Sequence, residues 1–124
     1  MFEITIETSF SAAHNLREYH GKCEALHGHN WKVEITAAAD ELDRQGMVID
    51  FVEFKRRARE VIEALDHKYL NEIPPFDALN PSSEHIARHL FDEVDRRLPP
   101  PGPRVVRVRV WESPTSSATY LRSR

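Results

Sequence analysis

An α+β domain is the fold class this sequence predicts, on three observations. Two long N-terminal stretches alternate apolar and polar residues, two later stretches repeat apolar residues every three or four positions, and the C-terminal part returns to alternation. The order strand, strand, helix, helix, strand, strand predicts a four-stranded, mostly antiparallel sheet with two helices on one face, ββααββ. At 124 residues, with no repeat, low-complexity tract or linker, residues 1–124 form a single domain.

In the first strand Phe2, Ile4, Ile6, Phe10, Ala12 and His14 occupy even positions, and Glu3, Thr5, Glu7, Ser9 and Ser11 the odd ones. Asn15 to Leu26 is polar and irregular, a loop that carries Cys23. From His27 the odd positions are His27, His29, Trp31, Val33, Ile35 and Ala37, which gives a second strand whose two histidines share the apolar face. Asp50 caps the first helix, with Glu53 placed to complete a capping box, and Phe51, Phe54, Ala58, Val61, Ile62 and Leu65 form its apolar stripe toward a stop near Asp66-His67. A proline-containing connector follows from Tyr69 to Pro81. Ser82 or Ser83 caps the second helix, striped by Ile86, Leu90, Phe91, Val94 and Leu98 and ended by the prolines at 99–103. Val106, Val108, Val110 and Glu112 then share one strand face, and a last short strand runs from Ser117 to Arg122.

Composition narrows the function. A formal net charge of -3 without single-sign blocks argues against general nucleic-acid or membrane-surface binding. One cysteine permits no intramolecular disulfide and suits a reducing compartment, the cytoplasm by default. Neither a leader pattern nor an apolar run of membrane-spanning length is present, so a cytoplasmic enzyme or binding protein is expected.

His14, His27 and His29 arrive in phase with buried strand faces. Three imidazoles with a free fourth position suit a catalytic Zn²⁺, whereas Cys23 as fourth ligand would make the site structural. The plainer reading is a hydrogen-bonded core histidine and a polar strand end. Cys23 is either a small buried hydrophobe or, beside a metal, a thiolate base. Asp66-His67 has the elements of a carboxylate-oriented imidazole, or is a surface pair. A carboxylate in core phase at Glu112 needs a partner, either a structural arginine or a ligand with an amidine-like N–H pair. Arg17, Lys22, Lys68, Arg104, Arg107 and Arg109 could meet phosphates or form a solvated face.

Six ordered motifs carry a resemblance that covers almost the whole chain: Phe10-Ser11-Ala12-Ala13-His14, Cys23-x-x-x-His27-Gly28-His29, Gly46-Met47-Val48-Ile49-Asp50-Phe51, Leu65-Asp66-His67-x-x-Leu70-Asn71, Asn80-Pro81-Ser82-Ser83-Glu84 and Trp111-Glu112. Together they resemble the 6-pyruvoyltetrahydropterin synthase family, which includes the 6-carboxytetrahydropterin synthases of queuosine biosynthesis. The resemblance implies a tunnelling fold, Zn²⁺ on His14, His27 and His29, Cys23 as catalytic base, Asp66-His67 as proton relay, Glu112 as pterin anchor and hydroxyl contacts from Ser82 and Ser83.

The implied substrate is 7,8-dihydroneopterin triphosphate, cut by a zinc-dependent carbon–carbon lyase to 6-carboxy-5,6,7,8-tetrahydropterin, acetaldehyde and triphosphate. A homohexamer, a dimer of barrel-forming trimers with active sites between subunits, is implied as well. The three-residue gap from Cys23 to His27 resembles the carboxy-forming branch. Glu24, by contrast, resembles the folate-branch members that form 6-hydroxymethyldihydropterin, so a pyruvoyl-forming or folate-branch synthase is the alternative product assignment. A non-catalytic pterin- or metal-binding protein on the same fold is the reading from a different class.

Overall fold

In the computed structural model, which describes residues 1–123, the alternating segments form strands β1 (Phe2–His14) and β2 (His27–Ala39). They pair antiparallel without interruption, from Phe2↔Ala39 to His14↔His27. Because facing residues in a ladder point to the same side, this register merges the two alternations into one apolar face. Ile6, Phe10, Ala12, Trp31, Val33, Ile35 and Ala37 are buried on it.

Two helices cover that face. α1 (Phe51–Ile62) begins at Asp50, whose carboxylate accepts the Val52 N–H. Glu53 does not close the expected capping box; its carboxylate binds Arg56 and Arg57 one turn on, the pairing open to residues three and four apart. The helix stops at Ile62, short of Asp66, and the turns that follow still bury Leu65. α2 (Ser83–Arg96) is capped by Ser82, whose hydroxyl accepts the His85 N–H at 3.2 Å. Phe54, Ala58, Val61 and Ile62 of α1 and Ile86, Leu90, Phe91 and Val94 of α2 complete the core.

The sheet differs from the expected four antiparallel strands. After α1, a two-residue strand β3 (Lys68–Tyr69) lies parallel to β1, with Ala12↔Lys68 and Ala13↔Tyr69. With β4 (Arg104–Ser113) and β5 (Ser116–Leu121), the sheet has five strands, is mixed, and runs β3-β1-β2-β4-β5. The element order is therefore ββαβαββ in place of ββααββ. Two residues carry no periodicity, so β3 has no sequence signal of its own. It exists because Asp66 and His67 clamp Ser11 from outside β1: Asp66 Oδ1 accepts the Ser11 N–H at 2.9 Å, and the His67 N–H donates to the Ser11 carbonyl.

The phase of β4 also departs from expectation. A register shift between Thr36 and Ala37 pairs them with Arg107 and Val105, so Val105 enters the core with Val108 and Val110, and Val106 does not. From Arg107 onward the expected phase is kept, which is why Glu112 still faces the histidine side. The opposite face of the sheet is polar: Lys32 meets Glu7 at 3.4 Å and Glu34 at 3.5 Å, and Arg107 pairs with Glu3. Exposed pairs of this kind contribute at most about 1 kcal/mol each and mainly keep this face wet. Among the described residues no helix is long and apolar enough to cross a membrane.

Candidate metal centre and active site

The last residue of β1 and the first and third of β2 are His14, His27 and His29, and the ladder itself places them together, since His14 pairs with His27 and Ala12 with His29. Trp31, fully buried, floors the group, with its ring 4.9 Å from that of His14 and 5.1 Å from that of His29. From the neighbouring strand, the pairing of Lys32 with Trp111 brings the next residue, Glu112, to the same level. His14, His27, His29 and Glu112 each offer one ligand atom, and these four atoms all lie within 4.8 Å of one another.

The hydrogen bonds around the rings decide which nitrogens are free. His14 Nδ1–H donates to the Pro81 carbonyl at 2.8 Å, and His27 Nδ1–H to the Ala25 carbonyl at 2.8 Å. A carbonyl accepts only, so each Nδ1 must carry the proton and each neutral Nε2 is a bare lone pair. Yet His14 Nε2 and His27 Nε2 stand 3.1 Å apart. Two lone pairs at that distance repel unless one ring becomes cationic or a cation sits between them.

His29 sharpens the point. Its Nε2 is 2.9 Å from Glu112 Oε1, but it is buried without a hydrogen bond of acceptable angle. The two groups are close without being aligned on each other, as when both aim at a third point. Burial pushes the His29 pKa below its ordinary value; Glu112 opposes this, while His14 and His27 add to it. The ring therefore favours its neutral, ligating form. The donor set fits a divalent cation such as zinc, held by the Nε2 atoms of His14, His27 and His29, with carbonyl-bonded Nδ1 atoms fixing two of the rings as outer-shell partners do in metal sites.

The remaining expected site residues are placed as follows. Cys23 is exposed on the loop after β1 and does not belong to the four-ligand group, so Glu112 stands where a structural site would have needed the thiolate. Glu24 brackets that loop: its N–H donates to the Leu16 carbonyl at 2.8 Å, and its carboxylate accepts the Leu16 N–H at 3.2 Å. Its Oε1 lies 3.9 Å from His27 Nδ1.

Asp66 and His67 form a contact of 3.0 Å between Oδ1 and Nδ1. The Ser11 N–H, with help from His67, holds the Asp66 carboxyl below the usual carboxylate range. The imidazole of His67 is 81% exposed, and its backbone sits in the left-handed region at φ 59°. It lines a shallow cavity of about 470 Å³ with Ser11, Ala13, Asn30, Lys68 and Tyr69. Among the described residues, no hydrogen bond joins this pair to Cys23 or to the histidine group. Ser82 spends its hydroxyl on the cap of α2, and Ser83 is the first helical residue; both follow Pro81, whose carbonyl holds His14.

Of the basic residues, Arg17 is bound by the carbonyls of Asn71 and Phe76, Arg104 by Asp95, Arg107 by Glu3, and Arg109 lies over the Trp111 ring at 4.2 Å. Sequence reasoning missed two asparagines. Asn71 accepts the Asn15 N–H at 3.0 Å and donates to the Asn15 carbonyl at 2.8 Å; Asn80 does the same to Arg17, at 2.8 and 3.0 Å. Each side-chain amide imitates a strand partner and fixes the three residues that leave His14. In the sequence they read only as punctuation in a proline-containing connector, and their place in two of the family-like motifs was the one available signal.

An α+β sheet-and-helix domain with a tri-histidine, one-carboxylate cluster where two strands begin and end defines a tunnelling-fold protein with a candidate metal centre. The family model described as 6-pyruvoyl tetrahydropterin synthase matches residues 3–123, and the chain belongs to that family. A protein of Archaeoglobus fulgidus, provisionally named a 6-carboxy-5,6,7,8-tetrahydropterin synthase, is 42% identical over 110 residues, covering 89% of this chain and 87% of the relative. The 6-carboxy-5,6,7,8-tetrahydropterin synthase of Synechocystis is 36% identical over 129 residues, covering 100% and 96%. Among solved structures, 6-pyruvoyl tetrahydropterin synthase of Caenorhabditis elegans superposes with a TM-score of 0.82 at 26% identity, covering 99% of this chain and 98% of that one.

Proposed function

We propose that this protein is a zinc-dependent carbon–carbon lyase that converts 7,8-dihydroneopterin triphosphate and water to 6-carboxy-5,6,7,8-tetrahydropterin, acetaldehyde and triphosphate, a step toward 7-deazapurines such as queuosine. The observation that carries the proposal is the convergence of three imidazole Nε2 atoms, two of them fixed as lone-pair donors by backbone carbonyls. The names of relatives that match over most of their length support the choice of product.

A bound zinc would supply Lewis-acid polarisation of the substrate's side-chain oxygens, making the neighbouring C–H more acidic. His14, His27 and His29 would hold it and orient the site. Cys23, on its exposed loop, takes the proton from the side-chain carbon as the general base, and Asp66 orients His67 to return a proton on the other side. Glu112 holds the pterin through its amidine-like N–H edge, with Ser82 and Ser83 beside the ring.

Since no hydrogen bond joins Cys23 to the Asp66–His67 pair among the described residues, the reading includes assembly. A homohexamer built from barrel-forming trimers brings the cysteine of one subunit to the relay of another and also covers the edge strands β3 and β5. The reaction is placed in the cytoplasm, without nucleic-acid or membrane partners.

The alternative product, 6-hydroxymethyldihydropterin or the pyruvoyl form, rests on Glu24. Its carboxylate is engaged by the Leu16 N–H, which favours a loop-holding role over acid–base work. Product analysis after incubation of the zinc-loaded protein with 7,8-dihydroneopterin triphosphate tests the assignment. Acetaldehyde with the carboxypterin is expected; hydroxymethyl- or pyruvoylpterin would move the protein to the other branch, and binding without triphosphate release would make it a non-catalytic pterin protein.

A further inference from the structure

The side-chain amide of Asn15, the residue that follows His14, reaches in two directions. Its Nδ2 donates to the Glu24 carbonyl at 3.1 Å, and its Oδ1 accepts the Tyr69 hydroxyl at 2.8 Å. A carbonyl only accepts, so the amide NH₂ must face Glu24, and the oxygen is left for a tyrosine that donates. Glu24 follows Cys23 in the chain, and Tyr69 lies two residues beyond His67, in β3. One amide thus spans the distance between the loop of the thiol and the segment of the exposed imidazole.

Two features set this bridge apart from ordinary loop packing. The Asn15 backbone is already held by the Asn71 side chain, through its N–H at 3.0 Å and its carbonyl at 2.8 Å, so the Asn15 side chain is not needed to fix Asn15 itself. The thiol loop, in turn, is fastened immediately beside Cys23: among the described residues no hydrogen bond from outside reaches residues 18–23. Glu24 carries the attachment, through its N–H and carboxylate to Leu16 and through its carbonyl to Asn15. Leu16 belongs to the same loop, whereas Asn15 alone continues the connection to β3.

We propose that Asn15 is a positioning residue for proton transfer: its amide sets the loop of Cys23 against the segment of His67, so that a shift at either is passed to the other. This rests on the reading of Cys23 as base and Asp66-His67 as relay. On the assembly reading the two serve neighbouring active sites, and the same amide then joins one site to the next. Misplacing a reacting group by about 1 Å can cost about 10²-fold in rate, so such a bridge can weigh more on turnover than on stability.

Cys23 is the one cysteine of the chain, so alkylation by iodoacetamide reports the thiol loop without background. Tyr69→Phe removes the hydroxyl and keeps the ring. It should change the alkylation rate at least about 3-fold. In turnover it should lower kcat about 10-fold, with KM and zinc content unchanged. Asn15→Asp keeps an acceptor for Tyr69 but offers the Glu24 carbonyl no donor. In that background Tyr69→Phe should add nothing to either readout, the non-additivity of residues that act in series.

An unchanged alkylation rate in Tyr69→Phe overturns the inference, whatever happens to the melting temperature. So does a changed rate with unaltered kcat, which would confine the amide to loop packing, and so does a Tyr69→Phe effect that is as large in Asn15→Asp as in the unaltered protein. Should Asn15→Asp fail to fold, Asn15→Ala takes its place, since it keeps the Asn71 clamp on the backbone. A protein that binds zinc and pterin without turnover overturns the lyase reading alone, and the alkylation rates still decide whether the bridge links the two segments.

Discussion

The histidine group and the Asp66–His67 ledge sit at the same end of the sheet and are built by opposite means. At the first, an unbroken strand ladder sets the spacing, Trp31 floors the rings and carbonyls fix two tautomers, so the site is complete inside one chain. At the second, an exposed imidazole on a left-handed backbone residue stands beside an open cavity whose lining does not include the cysteine it is proposed to serve. On the proposed reading, holding a metal and moving a proton would be organised separately: the first is preorganised by the fold, and the second would be completed by assembly.

The largest effect that would break this comparison is at the preorganised site. His27→Ala should lose bound zinc and turnover together, read by metal analysis of the purified protein beside product formation; a variant that keeps a full complement of zinc would show that the ligand set is wrong. Next, Cys23→Ala should lower turnover by at least about 10²-fold, the contribution of a positioned general base. Its zinc content should not change, and unimpaired turnover would remove Cys23 from the mechanism.

A smaller effect probes the strap that joins the two regions. Asn80→Ala leaves the Arg17 N–H and carbonyl without their side-chain partner and should cost about 1–3 kcal/mol of stability by urea denaturation. The zinc affinity should fall with it if the strap positions His14; full affinity would confine its role to the loop. Smallest is His67→Gly. A left-handed conformation costs a non-glycine residue roughly 1–2 kcal/mol, part of which glycine's added freedom in the unfolded chain offsets. Thermal melting should therefore be unchanged or slightly raised while turnover falls, and a large loss of stability would show that the imidazole holds the fold.

Much of the metal half was legible in the sequence because strand alternation is a physical ruler. His14, His27, His29 and Glu112 lie in core phase, and the ladder keeps that phase from sequence to space. What could not be read is where a phase breaks or where a contact has no period. The bulge that exchanges Val106 for Val105 leaves no local mark. β3 depends on a clamp to Ser11 from residues 55 or more positions away, so no window containing Lys68-Tyr69 shows it. The approach of Glu112 to His29 depends on the register between β2 and β4. Alternation fixes the face of each strand but not how far one has slid along another, so a partner for Glu112 could be inferred and its identity could not.

The direct pairing of His14 with His27 has a further consequence for how such a protein can change. The loop between them begins and ends on one rung of the ladder, so residues can be added to it or taken from it ahead of Ala25, whose carbonyl holds His27, with the ladder still fixing where both histidines sit. Lengthening such a loop costs only a logarithmic increment in closure entropy. If the proposed roles hold, the metal centre would act as a fixed mount and the thiol as an adjustable tool clipped to it, and new positions for the base could be sampled by insertion and deletion without rebuilding the histidine group.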